Sequence, residues 1–220
     1  MTVQTLSANT NSLLTAGNAV ERAWEGTRDG AAFTADYALK LSLMGRSFST
    51  TGAAANTKTG ALSTSFADTT PSFLLDIPTG TVCMPQRVQL VQTATAGGGA
   101  VQALIAVSRT AIAYSSGGSV LAGWSTRNDA PYTQACTFYL SATATTALLT
   151  RQVAQFQVGP DVSTAEGADN TMLWTPKKYN QPLILVGPAS FGVFCWSTGT
   201  GVDLFYSIGW SEVPSAWVTG

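Results

Sequence analysis

The chain has 220 residues, of which 45% are hydrophobic and only 10% charged, 11 basic against 12 acidic. A length on this scale suits one hydrophobic core with an appendage, and the near-neutral balance excludes a whole-chain field for nucleic acid or an acidic tail. Histidine is absent, which removes the usual general base, the commonest zinc ligand and the physiological-pH switch together, and with them most hydrolase mechanisms.

With so few charges, solubility must rest on neutral polar groups, and Ser plus Thr make up roughly a quarter of the chain. Residues 1–38 read as an N-terminal arm. The start, MTVQTLSANTNSLLTAG, has no basic region followed by an apolar run, and no window holds about 18 uninterrupted apolar residues. Neither a leader nor a membrane partner is expected, and a cytoplasm is the expected place of synthesis. Within the arm, SLLTAGNAVERAWE (residues 12–25) carries Leu13, Leu14, Val20 and Trp24, enough for a short helix. Such a segment buries little alone, so it is expected to fold back on the domain or lie across a neighbouring subunit, anchored by Trp24.

From residue 39 to 220 the pattern is short runs broken by Gly, Pro, Asn and Asp, the signature of an all-β antiparallel sandwich or barrel. Strands are expected near 39–48, 60–67, 72–77, 86–95, 100–114, 134–141, 149–158, 171–174, 182–187, 190–197 and 202–213. Tyr114 to Gln134 reads as a long exposed loop. Val202, Leu204, Tyr206, Ile208 and Trp210 fall on one face of the last strand, with Phe205 an apolar exception on the polar face. The run Phe191 to Ser197 is apolar on both faces and is expected to be covered on both sides. Gly199 and Gly201 suit a hairpin turn between these two strands.

Few motifs carry chemistry. Gly97, Gly98 and Gly99 lack the GxGxxG or GK[ST] context of a phosphate cradle and read as a turn. Ser190, in GPASFG, has no nucleophile elbow and no histidine to activate it. Asp68, Asp76, Asp161, Glu166 and Asp169 show no calcium-loop spacing and no recognisable glycosidase pair. Lys177 and Lys178 beside Trp174 and Tyr179 hold the ingredients of a single-stranded nucleic-acid platform, but so isolated a pair reads as a loop contact, and no nucleic-acid partner is expected. Cys83, Cys136 and Cys195, odd in number and without CxxC, read as buried free thiols. No catalytic residue, metal or cofactor is expected. The candidate intersubunit anchors are Leu13, Leu14, Val20, Trp24, Trp196, Phe205, Trp210 and Trp217, by size and chemistry. Trp124, Asp129 and Tyr132 form a candidate ligand loop, since rings stack on sugar faces and a carboxylate accepts hydroxyl hydrogen bonds.

The segments PSFLLDIPTGTVCMPQRVQL (residues 71–90) and QPLILVGPASFGVFCWSTGTGVDLFYSIGWSEVPS (residues 181–215) resemble the small jelly-roll virion proteins of tailed bacteriophages, of the capsid cement or decoration type and their head-fibre relatives. The shared features are D-I-P-x-G-x-x-x-x-P early in the sandwich and an apolar P-L-x-L-x-G-P run leading to a closing hairpin ending W-x-E-V-P. The resemblance implies a jelly-roll sandwich at residues 39–220 and a non-enzymatic, trimeric protein of the virion, assembled in the host cytoplasm. Its implied partners are the major capsid protein and copies of itself, with the arm clamping neighbouring subunits. A receptor- or carbohydrate-binding head of a fibre or spike is the rival expectation.

Overall fold

The computed structural model of the chain describes residues 37–51, 62–92, 100–130, 132–144, 151–157, 171–176, 183–197 and 203–218. Eight strands make the frame: β1 (Ser47–Thr50), β2 (Phe73–Ile77), β3 (Thr81–Gln92), β4 (Val101–Ser108), β10 (Arg151–Gln157), β11 (Thr171–Trp174), β13 (Ala189–Ser197) and β14 (Leu204–Pro214). One sheet has the order β11-β3-β14-β1 and the other β10-β4-β13-β2, so consecutive frame strands alternate between sheets except at the middle pair, β4 and β10, which are neighbours in one sheet. The frame strands pair first with last, second with seventh, third with sixth and fourth with fifth, all antiparallel. A long hairpin rolled up in this way is a jelly-roll sandwich.

Shorter elements extend the frame: α1 (Tyr37–Leu43), β5 (Tyr114–Ser116), β6 (Ser119–Leu121), β7 (Trp124–Ser125), β8 (Thr137–Leu140), β9 (Thr143–Ala144) and β12 (Leu185–Val186). β7 joins the edge of the first sheet beside β1, while β8 and β6 join the second beside β2. The stretch expected as a long exposed loop therefore holds three short strands, of which β6 and β7 widen the sandwich while β5 pairs with β9 in a separate two-stranded ribbon.

Side-chain alternation fills the space between the sheets. Leu204, Tyr206, Ile208 and Trp210 of β14 face Phe73, Leu75, Phe138, Phe191 and Val193 in one core. Phe73 and Tyr206 meet at 4.6 Å, and Trp210 stacks on Phe138 at 6.0 Å with planes 7° apart. Burying each such ring contributes about 2–3 kcal/mol. β13 is buried on both faces as expected, because a second apolar layer lies on the outer face of its sheet. There Leu74, Leu104, Ala106 and Phe194 pack under Ala113, Ala142 and Ala144, flanked by Tyr114, Tyr139 and Trp196. Tyr114 and Tyr139 stack at 4.0 Å, and Phe66 lies against Phe194 and Trp196 at 5.6 and 5.1 Å.

Several expected boundaries are corrected. Residues 39–48 are not one strand: α1 comes first, and Leu39, Leu41 and Leu43 imitate strand alternation although only Leu41 is buried. Gly45, at φ 70°, ends the helix. Gly45 N–H reaches Ser42 O at 2.9 Å and Arg46 N–H reaches Leu41 O at 2.8 Å, the two bonds of a Schellman cap. Among residues 62–67 no strand forms beyond a single parallel bridge from Ser63 to Trp196. β4 stops at Ser108, short of the expected 114, and β8 starts at Thr137. β3 begins at Thr81, earlier than expected, and runs through Pro85. That proline sits at a register shift opposite Trp210, between the residues of β3 paired to β12 and those paired to β11, where a missing N–H is tolerated.

Gly187 is fixed by close approach rather than by φ. A Cβ there would collide with the Pro78 carbonyl oxygen and stand 2.8 Å from Ile77 O. Gly187→Ala is expected to lower stability by about 3 kcal/mol, since backbone cannot yield as a flexible side chain can. Urea denaturation reads the loss, and a change below about 0.5 kcal/mol would show that β2 and β13 separate freely here.

Candidate functional site

Two buried carboxylates have the burial expected of catalytic groups, and both serve structure. Asp76, on β2, is 4% exposed, and Ser190, its register partner on β13, is fully buried. Ser190 Oγ donates to Asp76 Oδ1 and accepts the Ala113 N–H at 2.7 Å, while Asp76 Oδ2 accepts the Tyr114 N–H at 3.3 Å. Burial pushes the Asp76 carboxyl above its ordinary range, against the opposing pull of these donors. The pair therefore ties the start of the 109–144 insertion to the second sheet. The Ser190 hydroxyl proton is committed to Asp76.

Glu212, on β14, is 3% exposed and faces the core two residues after Trp210. Its Oε1 accepts the Trp210 indole N–H at 2.7 Å and the Cys136 N–H at 3.1 Å, and its Oε2 accepts the Ala135 N–H at 2.6 Å. The sequence reading missed this role. The available signal was parity, since an acid two residues beyond a core tryptophan on the same strand must face inward.

The three thiols are buried and unpaired. Burial pushes Cys195 up to about 12, and a hydrogen bond with Cys83, followed by burial, pushes Cys136 upward as well. Being buried, all three are expected to react with a thiol reagent only as fast as the fold opens. A thiol titration that labelled one cysteine within seconds in native buffer would contradict this.

Among the described residues no cluster of three or more His, Cys, Asp or Glu gathers to hold a metal, and no helix is long and apolar enough to cross a membrane. Asp161, Glu166, Asp169, Lys177, Lys178 and Tyr179 lie outside the described residues, as do Leu13, Leu14, Val20 and Trp24. Trp174 is 1% exposed in the core against Phe191, so it offers no stacking face to a base.

The other expected anchors separate into distinct environments. Trp210, 1% exposed, belongs to the chain's own core and is closed to a neighbour. Trp196 is half-buried against Phe66, and Trp217 packs beside Leu41, Val82, Met84 and Val213 under α1. Phe205 remains exposed on the outer face of the first sheet. The proposed ligand loop does not converge: Asp129 holds Arg127, which pulls its carboxyl below the ordinary range, and Tyr132 lies under the Arg46 guanidinium at 3.5 Å. Arg46 also lies 5.3 Å from the Trp217 ring. Only Trp124, 65% exposed, keeps a large open ring.

Pairing registers define what the first sheet presents outward. Trp124 pairs with Ser49, Ser49 with Gly209 and Gly209 with Arg87, making one row across four strands. Parallel rows hold Ser207, Gln89 and Leu173, and Phe205, Val91 and Thr171. Arg87 donates to Ser207 Oγ. The α1 helix and Trp217 cover only the other end of this face, over Val82, Met84 and Val213. The second sheet is overlaid on its outer side, whereas this end of the first carries exposed aromatics, hydroxyls, an amide and one cation.

Comparison with protein-family models, with curated proteins and with solved structures finds no match.

Proposed function

We propose that the chain is a structural protein of a virus particle, of the capsid cement or decoration kind known from tailed bacteriophages, that binds the major capsid protein and its own copies as a trimer. The observation that carries this reading is the division of labour in the sandwich. The described buried carboxylates are spent on holding the fold, and the large uncovered groups gather on a jelly-roll face that suits contact rather than chemistry. The arm, with Leu13, Leu14, Val20 and Trp24, supplies a second contact element that clamps neighbouring subunits. A receptor- or carbohydrate-binding head is the second reading, favoured by the open ring of Trp124.

The test is attachment to shells stripped of the chain. Full-length protein is expected to rebind at regular sites, and protein lacking residues 1–36 is expected to lose attachment while keeping its β-type circular dichroism. Unchanged attachment of the truncated protein would refute the arm's role, and failure of the full-length protein to rebind would refute the cement reading.

A further inference from the structure

We propose that Cys83 and Cys136 form a redox cross-linking site. An oxidant of the small-molecule disulfide class closes a bond between them that joins β3 of the first sheet to the insertion beside the second. This is independent of the proposed function.

The fold brings the two thiols together beside one carboxylate. Cys83 on β3 is the register partner of Glu212 on β14, and register partners on neighbouring antiparallel strands point to the same face of a sheet. Glu212 Oε1 accepts the Cys136 N–H at 3.1 Å, which holds Cys136, one residue before β8, over that same spot. Both cysteines belong to the core between the sheets, at 0% and 1% exposed, and the Cys136 thiol is hydrogen-bonded to Cys83. Cys195 is placed otherwise, on β13, where its thiol bonds Ser72. Nearness in sequence does not account for the pairing. Cys136 lies nearly midway between Cys83 and Cys195, so loop closure alone would favour neither partner.

The reaction is thiol–disulfide exchange. Cys136 is buried, but Tyr132, Thr133 and Ala135 before it are exposed, so a local opening of this end of the insertion bares Cys136 first. Cys83 stays enclosed between β14 and β12. The Cys136 thiolate attacks a sulfur of the small disulfide, whose S–S bond breaks, and one small thiolate leaves. As the insertion closes again, the deprotonated Cys83 sulfur attacks the Cys136 sulfur of the mixed disulfide and expels the second small thiolate. The two protein sulfurs are oxidised and the oxidant is reduced to two small thiols, which take up the two protons that Cys83 and Cys136 lose. The bond reinforces covalently the junction that Glu212 holds by hydrogen bonds.

Refolding the full chain from urea in a buffer of reduced and oxidised glutathione tests this, with products read by intact mass and by peptide mapping without reduction. The folded product is expected to lack two hydrogens, to yield one joined pair of peptides carrying Cys83 and Cys136, and to keep Cys195 as a free thiol. It should melt about 10 °C above the reduced protein, the shift expected from closing a loop of this length. The same oxidation held in urea should join Cys136 to Cys83 and to Cys195 in comparable amounts, so that the preference is seen to come from the fold. Cys195→Ala should cross-link as the wild type does. Folded protein that keeps three thiols, or that carries a lasting glutathione adduct in place of the cross-link, overturns the proposal. So does a folded product that joins Cys195 as readily as it does in urea, or a cross-linked product that melts below the reduced protein.

Discussion

Replacing Glu212 with alanine is expected to cost roughly 3–5 kcal/mol of folding stability, the largest effect of any single polar substitution in the described chain. The carboxylate accepts three N–H groups, those of the buried Trp210 indole and Cys136 main chain and that of the part-buried Ala135 main chain. Trp210 is held flat against Phe138, while Ala135 and Cys136 lead directly into β8, which flanks the opposite sheet. Glu212 is thus a polar rivet from strand β14 of one sheet to the insertion that widens the other. Glu212→Gln keeps the shape but turns an NH2 toward a donor, and should lose about half as much. Urea denaturation followed by tryptophan fluorescence checks both; a loss under about 1 kcal/mol for the alanine variant would mean that water replaces the carboxylate and that the rivet is not needed.

Asp76→Ala is the second large effect, expected at about 2–4 kcal/mol, because it strips the Ser190 hydroxyl and the Tyr114 N–H of their buried acceptor. Its pH dependence has a definite sign. Burial raises the folded carboxyl above its ordinary 3.8, so the fold binds this proton more tightly than the unfolded chain does. The resulting stabilisation is complete below 3.8 and is lost as pH rises through the raised folded value. Wild type should therefore gain stability relative to Asp76→Ala as pH falls from 7 toward 4. A difference between the two proteins that stayed flat or shrank over this range would show that the hydrogen bonds outweigh burial.

The frame was legible in the sequence wherever one physical signal acted alone. The two-residue period from Leu204 to Trp210 and the two-sided apolarity of Phe191 to Ser197 placed the last two strands within two residues of their observed bounds. Legibility failed where signals competed. The leucines at 39, 41 and 43 alternate like a strand, and only the cap at Gly45 argues for a helix. Pro85 reads as a breaker until the register shift opposite Trp210 is known. Strands as short as β6 and β7 carry too few residues for any period to show; they exist because β8 and β1 offer them an edge.

The candidate surface was only partly legible for a related reason. Size singled out Trp124, Trp196, Phe205, Trp210 and Trp217, yet size does not say which side of a sheet is already covered. Trp210 went to the core because its parity matches Ile208, and Phe205 stayed outside because its parity does not. Arg127 reaches the Leu43 carbonyl oxygen at 2.8 Å across 84 residues of sequence, a contact that leaves no linear trace. Asp129 and Tyr132 looked like ligand groups because the sequence does not reveal that Arg127 and Arg46 lie within reach of them.

Imaging of particles purified from the source of this chain tests the central claim most directly. A structural role on the shell predicts density for the eight-strand jelly roll at regular, symmetry-related positions, with chain contacting the major capsid protein. Particles with no such density on the shell, or with it confined to fibre tips, would contradict the claim.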